Sequence, residues 1–117
     1  MIRGVAGVTI WTDNLDQLID FYVNNLGLTI YHHHGDFVNF VFGDVRLNLG
    51  KHDQVKGKSN DMFRIMISLL VTDIHRTYKH LIEKNVSFIR IPERESWGGW
   101  VATFLDPDEN VIQLIQH

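Results

Sequence analysis

The amino-acid sequence predicts an α+β fold of two tandem βαβββ modules, whose strands form a curved, open mixed β-barrel with the helices outside. Short runs of alternating apolar residues indicate strands, and two stripes at three- and four-residue spacing indicate amphipathic helices. The order of these elements repeats once along the chain. Neither module can bury both faces of its sheet alone, so we expect the helices to cover the outer faces while the strands curve around a shared hollow.

The first module is predicted over about residues 1–50. Its opening strand, Gly4 to Trp11, ends at Thr12-Asp13-Asn14, any of which can cap a helix. Apolar residues then recur at helical spacing from Leu15 to Leu26, and Gly27 provides a C-cap. Further strands are predicted at 28–34, 36–42 and 45–49, separated by turns that contain glycine.

The second module is predicted over about residues 63–117, after a polar, lysine-rich linker at about 51–62. Thr72-Asp73 repeats the capping pair, and a second helical stripe follows it. Strands are predicted at 65–71, 86–91, 100–105 and 111–115. Superposing the two halves sets Asn48 opposite Gln113, so an internal duplication is the simplest interpretation.

Composition limits the class of protein. The 117 residues are enough for one domain with a real core, and 44% hydrophobic with 21% charged residues is ordinary globular composition. A net charge of −3 without a basic run favours neither a nucleic-acid nor an anionic-membrane partner. The absence of cysteine excludes disulfides, thiolate nucleophiles and zinc–thiolate sites. The first residues do not form a signal peptide, so we expect a soluble cytoplasmic protein.

Gln113 is a polar exception on the last strand. It shares a face with Val111 and Ile115, and if it points inward its counterpart Asn48 does too. The hollow then has amides on opposite walls, which can both donate and accept hydrogen bonds and suit an organic ligand. The alternative is that Gln113 bonds Asn48 or a backbone group within a filled barrel.

The chain resembles the vicinal oxygen chelate superfamily, which includes glyoxalase I, extradiol dioxygenases and bleomycin-resistance proteins. The resemblance covers nearly the whole length, and its order and spacing are more specific than any single motif. It rests on residues 13–15, 19–22, 25–28, 70–74, 97–99 and 104–114. The family usually has glycine where Glu109 stands, so the last turn must be strained there or pass its left-handed residue to Asn110.

The resemblance implies a divalent-metal site with one ligand on each of four strands. The aligned positions are Gly7, Asn48, Met66 and Gln113, and none is a strong ligand for iron, nickel or zinc. We therefore expect no metal and no other cofactor. The resemblance also implies a homodimer, and the hollow is then built by one chain or shared.

The run Tyr31-His32-His33-His34 holds the densest group of imidazoles. On a strand His32 and His34 share a face, and His33 points the other way. We expect an exposed strand end whose histidines are solvated, because two donors without a carboxylate make a poor metal site. The alternative is that these histidines replace the usual metal ligands.

Aromatic and basic residues complete the candidate site. Trp97 and Trp100 flank Gly98-Gly99, and relatives that bind flat antibiotics stack them on aromatic side chains at the cavity mouth. Trp11, by contrast, is predicted to fill the core. Arg46 can meet a carboxylate or phenolate in the hollow, or pair with Glu93 or Glu95 at the rim.

These observations predict a metal-free protein that binds a small organic, possibly aromatic, molecule in its barrel cavity, as the resistance-protein branch does. No nucleophile motif, phosphate loop or dinucleotide fingerprint is present, and no residue is assigned a catalytic role. The alternative is a metal-dependent lyase, isomerase or dioxygenase that uses non-standard ligands. The predicted ligand-binding residues are Thr9, Arg46, Asn48, Ser68, Trp97, Trp100 and Gln113.

Overall fold

The computed structural model describes residues 1–117, which divide into two compact units, Met1–Gly57 and Lys58–His117. Each unit contains one helical region and one four-stranded mixed sheet, in the repeated order βαβββ. This order confirms the predicted α+β class. The strands are β1 (Gly7–Thr12), β2 (His32–His34), β3 (Phe37–Phe42), β4 (Val45–Lys51), β5 (Met66–Leu70), β6 (Ser87–Arg94), β7 (Trp100–Leu105) and β8 (Val111–Gln116).

The first sheet has the strand order β1-β4-β3-β2, with β1 parallel to β4 and the other neighbours antiparallel. Alternate side chains of its strands are fully buried with the helical residues Leu18 and Tyr22. This is the core of the first unit, and it fixes which face of each strand points away from the helix. The buried strand residues are Ile10, Thr12, Val38, Phe40, Leu47 and Leu49.

The second sheet repeats this plan with the order β5-β8-β7-β6. Phe104, Ile112 and Leu114 are buried on one face, and Phe88 connects this face to Tyr78 of the helix, with ring centroids 4.8 Å apart. The residues between them point to the opposite face. Each unit therefore has an apolar face beneath its helix and a second face of different composition.

The first helix, α1 (Leu15–Asp20), continues as a π-helical turn over Phe21–Asn25. The amide of Leu26 donates to the carbonyl of Phe21 at 3.0 Å, a bond that spans five residues instead of four. The predicted helix from Leu15 to Leu26 is thus an α-helix that continues into a wider π-helical turn. Asn14 caps its start, because its side-chain oxygen accepts from the amide of Gln17.

The second helix, α2 (Ile74–Glu83), begins after Asp73, whose side chain accepts from the amide of Arg76 at 3.1 Å. A further amide at this end, that of Ile74, donates to the side chain of Gln116 on β8 at 2.7 Å. Two of the free amides at the helix start are therefore satisfied by side chains. Neither helix combines the length and the apolar character that a membrane crossing requires.

Several strand boundaries differ from the predictions: the first strand begins at Gly7 instead of Gly4, the fourth continues to Lys51, and the second and sixth also differ in length. The second strand is only His32–His34, because residues 28–31 lie outside the regular pairing with β3. The sixth strand continues to Arg94, beyond the predicted end at Ile91. Arg94 pairs with Trp100 of β7, and the pairing of these two strands shifts register twice, once on either side of Arg90. Such irregularities insert residues without a regular partner, so the alternation of polar and apolar residues does not show where the strand ends.

The turn between β7 and β8 resolves the question raised by Glu109. Glu109 itself adopts the left-handed conformation, with φ of 61°, and its amide donates to the carbonyl of Asp106 at 2.9 Å. Asn110 instead uses its backbone amide and its side chain to bind the Asp106 carboxylate. The turn therefore holds a strained glutamate at the position where glycine is free of strain.

We expect Glu109→Gly to raise the free energy of unfolding by about 0.5–1 kcal/mol, since relief of left-handed strain outweighs the greater freedom of unfolded glycine. The exposed ion pair of Glu109 with Lys58 at 3.6 Å contributes little. Asn110→Gly is the matched control and should destabilise the fold by removing bonds to Asp106. Urea unfolding measures both variants, and a destabilised Glu109→Gly protein would contradict this account.

Gly7 is the register partner of Arg46 at the start of the β1–β4 pair. A Cβ atom built there would stand 2.7 Å from the backbone oxygen of Arg46 and 3.4 Å from the side-chain nitrogen of Asn48. The first distance is shorter than real contacts allow, and backbone cannot move aside without disturbing the strand pair. The absence of a side chain at position 7 is therefore a packing requirement of this sheet.

Gly7→Ala should lower the free energy of unfolding by about 1–3 kcal/mol, the usual cost of forcing an extra methyl group into close packing. Ile2→Ala is the control, because Ile2 is fully exposed and its truncation should change stability by less than about 0.5 kcal/mol. Thermal or urea unfolding compares the two. A Gly7→Ala protein as stable as the parent would show that β1 and β4 are further apart than described.

Candidate functional site

The first unit contains a pocket of about 530 Å³ on the face of its sheet that points away from α1. This volume is within the range of small-molecule sites in proteins. Its lining combines two amides, one cation, one carboxylate and one phenyl ring with small residues. The lining residues are Ala6, Gly7, Phe37, Asn39, Gly43, Asp44, Arg46 and Asn48.

A row of polar side chains crosses this face. Thr9, Asn48 and Asn39 are register partners on β1, β4 and β3, so their side chains lie side by side. The side-chain nitrogen of Asn48 donates to the Thr9 hydroxyl oxygen at 3.1 Å. This bond leaves the hydroxyl hydrogen of Thr9 and the side-chain oxygen of Asn48 free to bind something else.

Asn39 was not predicted as a site residue, although it is, like Gln113, a polar amide within an otherwise apolar strand. It is an amide between the buried Val38 and Phe40, and its side-chain oxygen is buried without a hydrogen-bond partner. A buried acceptor left unsatisfied costs about 1–3 kcal/mol. Because this oxygen has almost no accessible surface, a ligand does not reach it unless the side chain rearranges.

An aromatic group lies on the same face as the polar row. Trp11 follows Thr9 by two residues, its indole covers Gly50, and its ring centroid is 6.1 Å from that of the pocket residue Phe37. The prediction that Trp11 fills the core is wrong, because 43% of its surface is exposed. The strand alternation that places Ile10 inside also turns Trp11 outward.

Arg46 contributes the only cation of the pocket lining. Its guanidinium carbon lies 5.7 Å from the centre of the Tyr31 ring, a cation–π contact. Asp44, the only carboxylate of the lining, does not pair with it. The sequence-based alternative, in which Arg46 pairs with Glu93 or Glu95, is wrong, because both glutamates bind Arg90.

The second unit carries an equivalent polar row on the face away from α2. Ser68, Gln113 and Thr103 are register partners on β5, β8 and β7, and the Ser68 hydroxyl donates to the Gln113 side-chain oxygen at 3.1 Å. Each unit thus places a hydroxyl beside an amide across its parallel strand pair. The direction of the bond differs, so in this unit the NH₂ group of Gln113 has no partner in the protein.

Arg90 extends this row on β6, where it is the register partner of Thr103. Its guanidinium bonds Glu95 at 2.7 Å and Glu93 at 3.3 Å, and these hydrogen bonds, Glu95 first, raise the pKa of Arg90 above its ordinary value. Glu95 also begins the tight turn before β7, since its amide donates to the carbonyl of Gly99. Arg90 therefore holds that turn against the sheet.

The two tryptophans of this turn have different surroundings. Trp97 is 55% exposed, lies over Gly99 and has its ring centroid 5.9 Å from that of His117. Trp100 packs edge-on against His75 of α2, with centroids 4.6 Å apart, on the helix side of the sheet. Trp97 is thus accessible to a ligand, whereas Trp100 contacts the helix and points away from Gln113.

The three histidines of β2 are all exposed. The rings of His32 and His34 lie nearly parallel with centroids 6.2 Å apart, and His33 contacts the carbonyl of Gly35 at 3.1 Å. No carboxylate joins them to complete a metal site. Nowhere in the chain do three or more His, Asp or Glu side chains converge as metal ligands would.

The residues present do not fit the divalent metal that the fold family implies. Gly7 offers no donor and is the register partner of Arg46, while Met66 is the partner of Val111. The residues that lie beside Asn48 and Gln113 are Thr9 and Ser68, which add only hydroxyl groups. Neutral amides and hydroxyls are weak ligands for iron, nickel or zinc compared with imidazole and carboxylate.

Comparison with known proteins gives a consistent result. Residues 4–114 match the model of the Glyoxalase/Bleomycin resistance protein/Dioxygenase superfamily. The uncharacterized protein YraH of Bacillus subtilis (strain 168) is 25% identical over 121 residues, covering 92% of this chain and 93% of YraH.

Solved structures extend the comparison. A superfamily member from Sphaerobacter thermophilus is 29% identical with a TM-score of 0.78, over 99% of this chain and 98% of that one. Lactoylglutathione lyase from Agrobacterium tumefaciens shares the fold alone, at 16% identity and a TM-score of 0.76, over 97% and 92% of the two chains. With its repeated βαβββ units and a family match over nearly its whole length, the chain belongs to the Glyoxalase/Bleomycin resistance protein/Dioxygenase superfamily.

Proposed function

We propose that this protein binds a small organic molecule in the pocket of its first unit and uses no metal held by side chains. The observation that carries the proposal is the chemistry of the pocket floor. Asn39 and Asn48 offer uncharged donors and acceptors there, and neither is a strong metal ligand. A concave site with a few convergent polar groups is the usual form of a small-molecule site.

The aromatic group beside the pocket favours a flat ligand. Phe37 lines the pocket, and Trp11 lies next to it with a partly exposed indole. Aromatic side chains bind flat rings by offset stacking or by edge contacts, in addition to the apolar area that they bury. Thr9, Asn48 and Arg46, all predicted from the sequence, then provide polar contacts around that ring.

The second unit offers its own polar row, and we propose that Ser68, Gln113 and Trp97 also contribute to ligand binding. The NH₂ group of Gln113 is a donor that a ligand can meet. Trp100 is left out of this proposal, because its ring contacts His75 on the helix side. The homodimer implied by the resemblance stays a prediction that sedimentation analysis can check.

Protein purified without a histidine tag should contain far less than one equivalent of iron, nickel, zinc or manganese, because the polar rows contain no imidazole or carboxylate donors. Native mass spectrometry with elemental analysis measures the metal together with any co-purifying organic ligand. A His32→Asn/His34→Asn variant is the control for adventitious binding at the exposed pair. Stoichiometric metal that survives in this variant would contradict the proposal.

Flat aromatic compounds that bind should quench tryptophan fluorescence, and Trp11→Phe should remove most of that quenching, because Trp11 adjoins the pocket wall at Phe37. Trp100→Phe is the matched control and should leave the quenching unchanged, since Trp100 packs on His75. Trp97→Phe tests the sequence-based prediction. If the Trp11→Phe protein keeps full quenching and only the Trp97→Phe protein loses it, the ligand does not bind in this pocket.

A further inference from the structure

The cation of the pocket is free to bind an anion. Arg46 is the register partner of Gly7 on β4, and it shares a face with Asn48, two residues further along that strand. It lines the pocket and forms no ion pair with the Asp44 carboxylate of the same lining. Its charge is therefore not neutralised by a neighbouring side chain.

The contact with Tyr31 does not supply Arg46 with a hydrogen-bond acceptor oxygen. The Arg46 guanidinium carbon lies over the Tyr31 ring, 5.7 Å from the ring centre, a cation–π contact. Arginine carries five N–H donors and no acceptor, so donors remain for a ligand oxygen. A guanidinium of this kind can form two parallel hydrogen bonds to a planar carboxylate.

Arg90 shows the contrasting arrangement in the second unit. Its guanidinium is occupied by Glu95 at 2.7 Å and Glu93 at 3.3 Å, and only about a third of its side chain is exposed. The protein thus supplies its own carboxylates to one arginine of a polar face and none to the other. Arg46 is therefore the arginine of the two that has no carboxylate partner in the protein.

Asp44 limits the kind of anion that can bind. Its carboxylate lines the same pocket, so it opposes the long-range attraction that Arg46 exerts on any negative charge. An anion that does not contact Arg46 directly is therefore attracted only weakly to the pocket. A carboxylate in direct contact with the guanidinium edge still gains two charge-assisted hydrogen bonds, which act only at short range.

We propose that the ligand of this pocket is a flat aromatic carboxylate, with its carboxylate on the edge of Arg46 and its ring against Phe37. This assignment rests on the proposed function and adds the chemical class of the ligand. Ring substituents that donate hydrogen bonds would meet the free side-chain oxygen of Asn48. Asp44 disfavours anions that do not reach Arg46.

The test compares two probes of equal shape, 2-naphthoate and its neutral amide 2-naphthamide, by isothermal titration calorimetry near pH 7, where the carboxylate is ionised. Wild-type protein should bind the naphthoate about tenfold more tightly, the advantage expected for charge-assisted hydrogen bonds. Arg46→Gln should abolish this preference, because it weakens binding of the naphthoate far more than binding of the amide. Asp44→Asn should increase the preference, because it removes the opposing charge.

Arg76→Gln is the control for net charge, because Arg76 lies on α2 and its loss changes the total charge by the same amount. It should leave the preference as in the wild type. Equal binding of the two probes by wild-type protein, or a preference that persists in Arg46→Gln, would overturn the carboxylate assignment and leave the proposed function standing. Failure of both probes to bind would overturn the two together.

Discussion

The register of one parallel strand pair in each sheet determines where the polar groups of this protein lie. Thr9 pairs with Asn48 between β1 and β4, and Ser68 pairs with Gln113 between β5 and β8. A slip of one residue would expose the apolar side chains now buried beneath each helix, such as Leu49. The hydrophobic core thus fixes the register, and the hydroxyl–amide pairs of the opposite faces follow from it.

Local patterns were enough to predict the elements, but not their partners. Alternation predicts the observed bounds of β7, and the internal repeat sets Asn48 opposite Gln113, each on the strand that runs parallel to the first strand of its unit. The hydrogen-bond partner of Asn48 could not be predicted in this way. Thr9 lies 39 residues earlier in the chain, and no local sequence pattern determines which residues of β1 and β4 pair. The outward orientation of Trp11 and Asn39 could have been predicted from the sequence, since strict alternation turns both away from their buried neighbours Ile10 and Val38.

The two units share a plan but treat charge differently. Both align a hydroxyl and an amide across the sheet, and neither row contains the imidazole or carboxylate donors that iron, nickel and zinc prefer. On the second sheet the arginine is enclosed by two glutamates and stabilises a turn. On the first sheet the arginine rests on a tyrosine and faces a pocket. The two units therefore differ in how they treat their arginine: Arg90 is paired with two glutamates, whereas Arg46 has no carboxylate partner.

The strand order has a consequence for how each half acquires its structure. In both sheets the strand that comes last in sequence is an inner strand, because β4 joins β1 to β3 and β8 joins β5 to β7. The opening strand of each unit therefore has no partner until the rest of that unit has been synthesised. Its apolar residues stay open to self-association during this interval, and closure of the long chain loop slows the final step. Productive assembly depends on how quickly the fourth strand arrives.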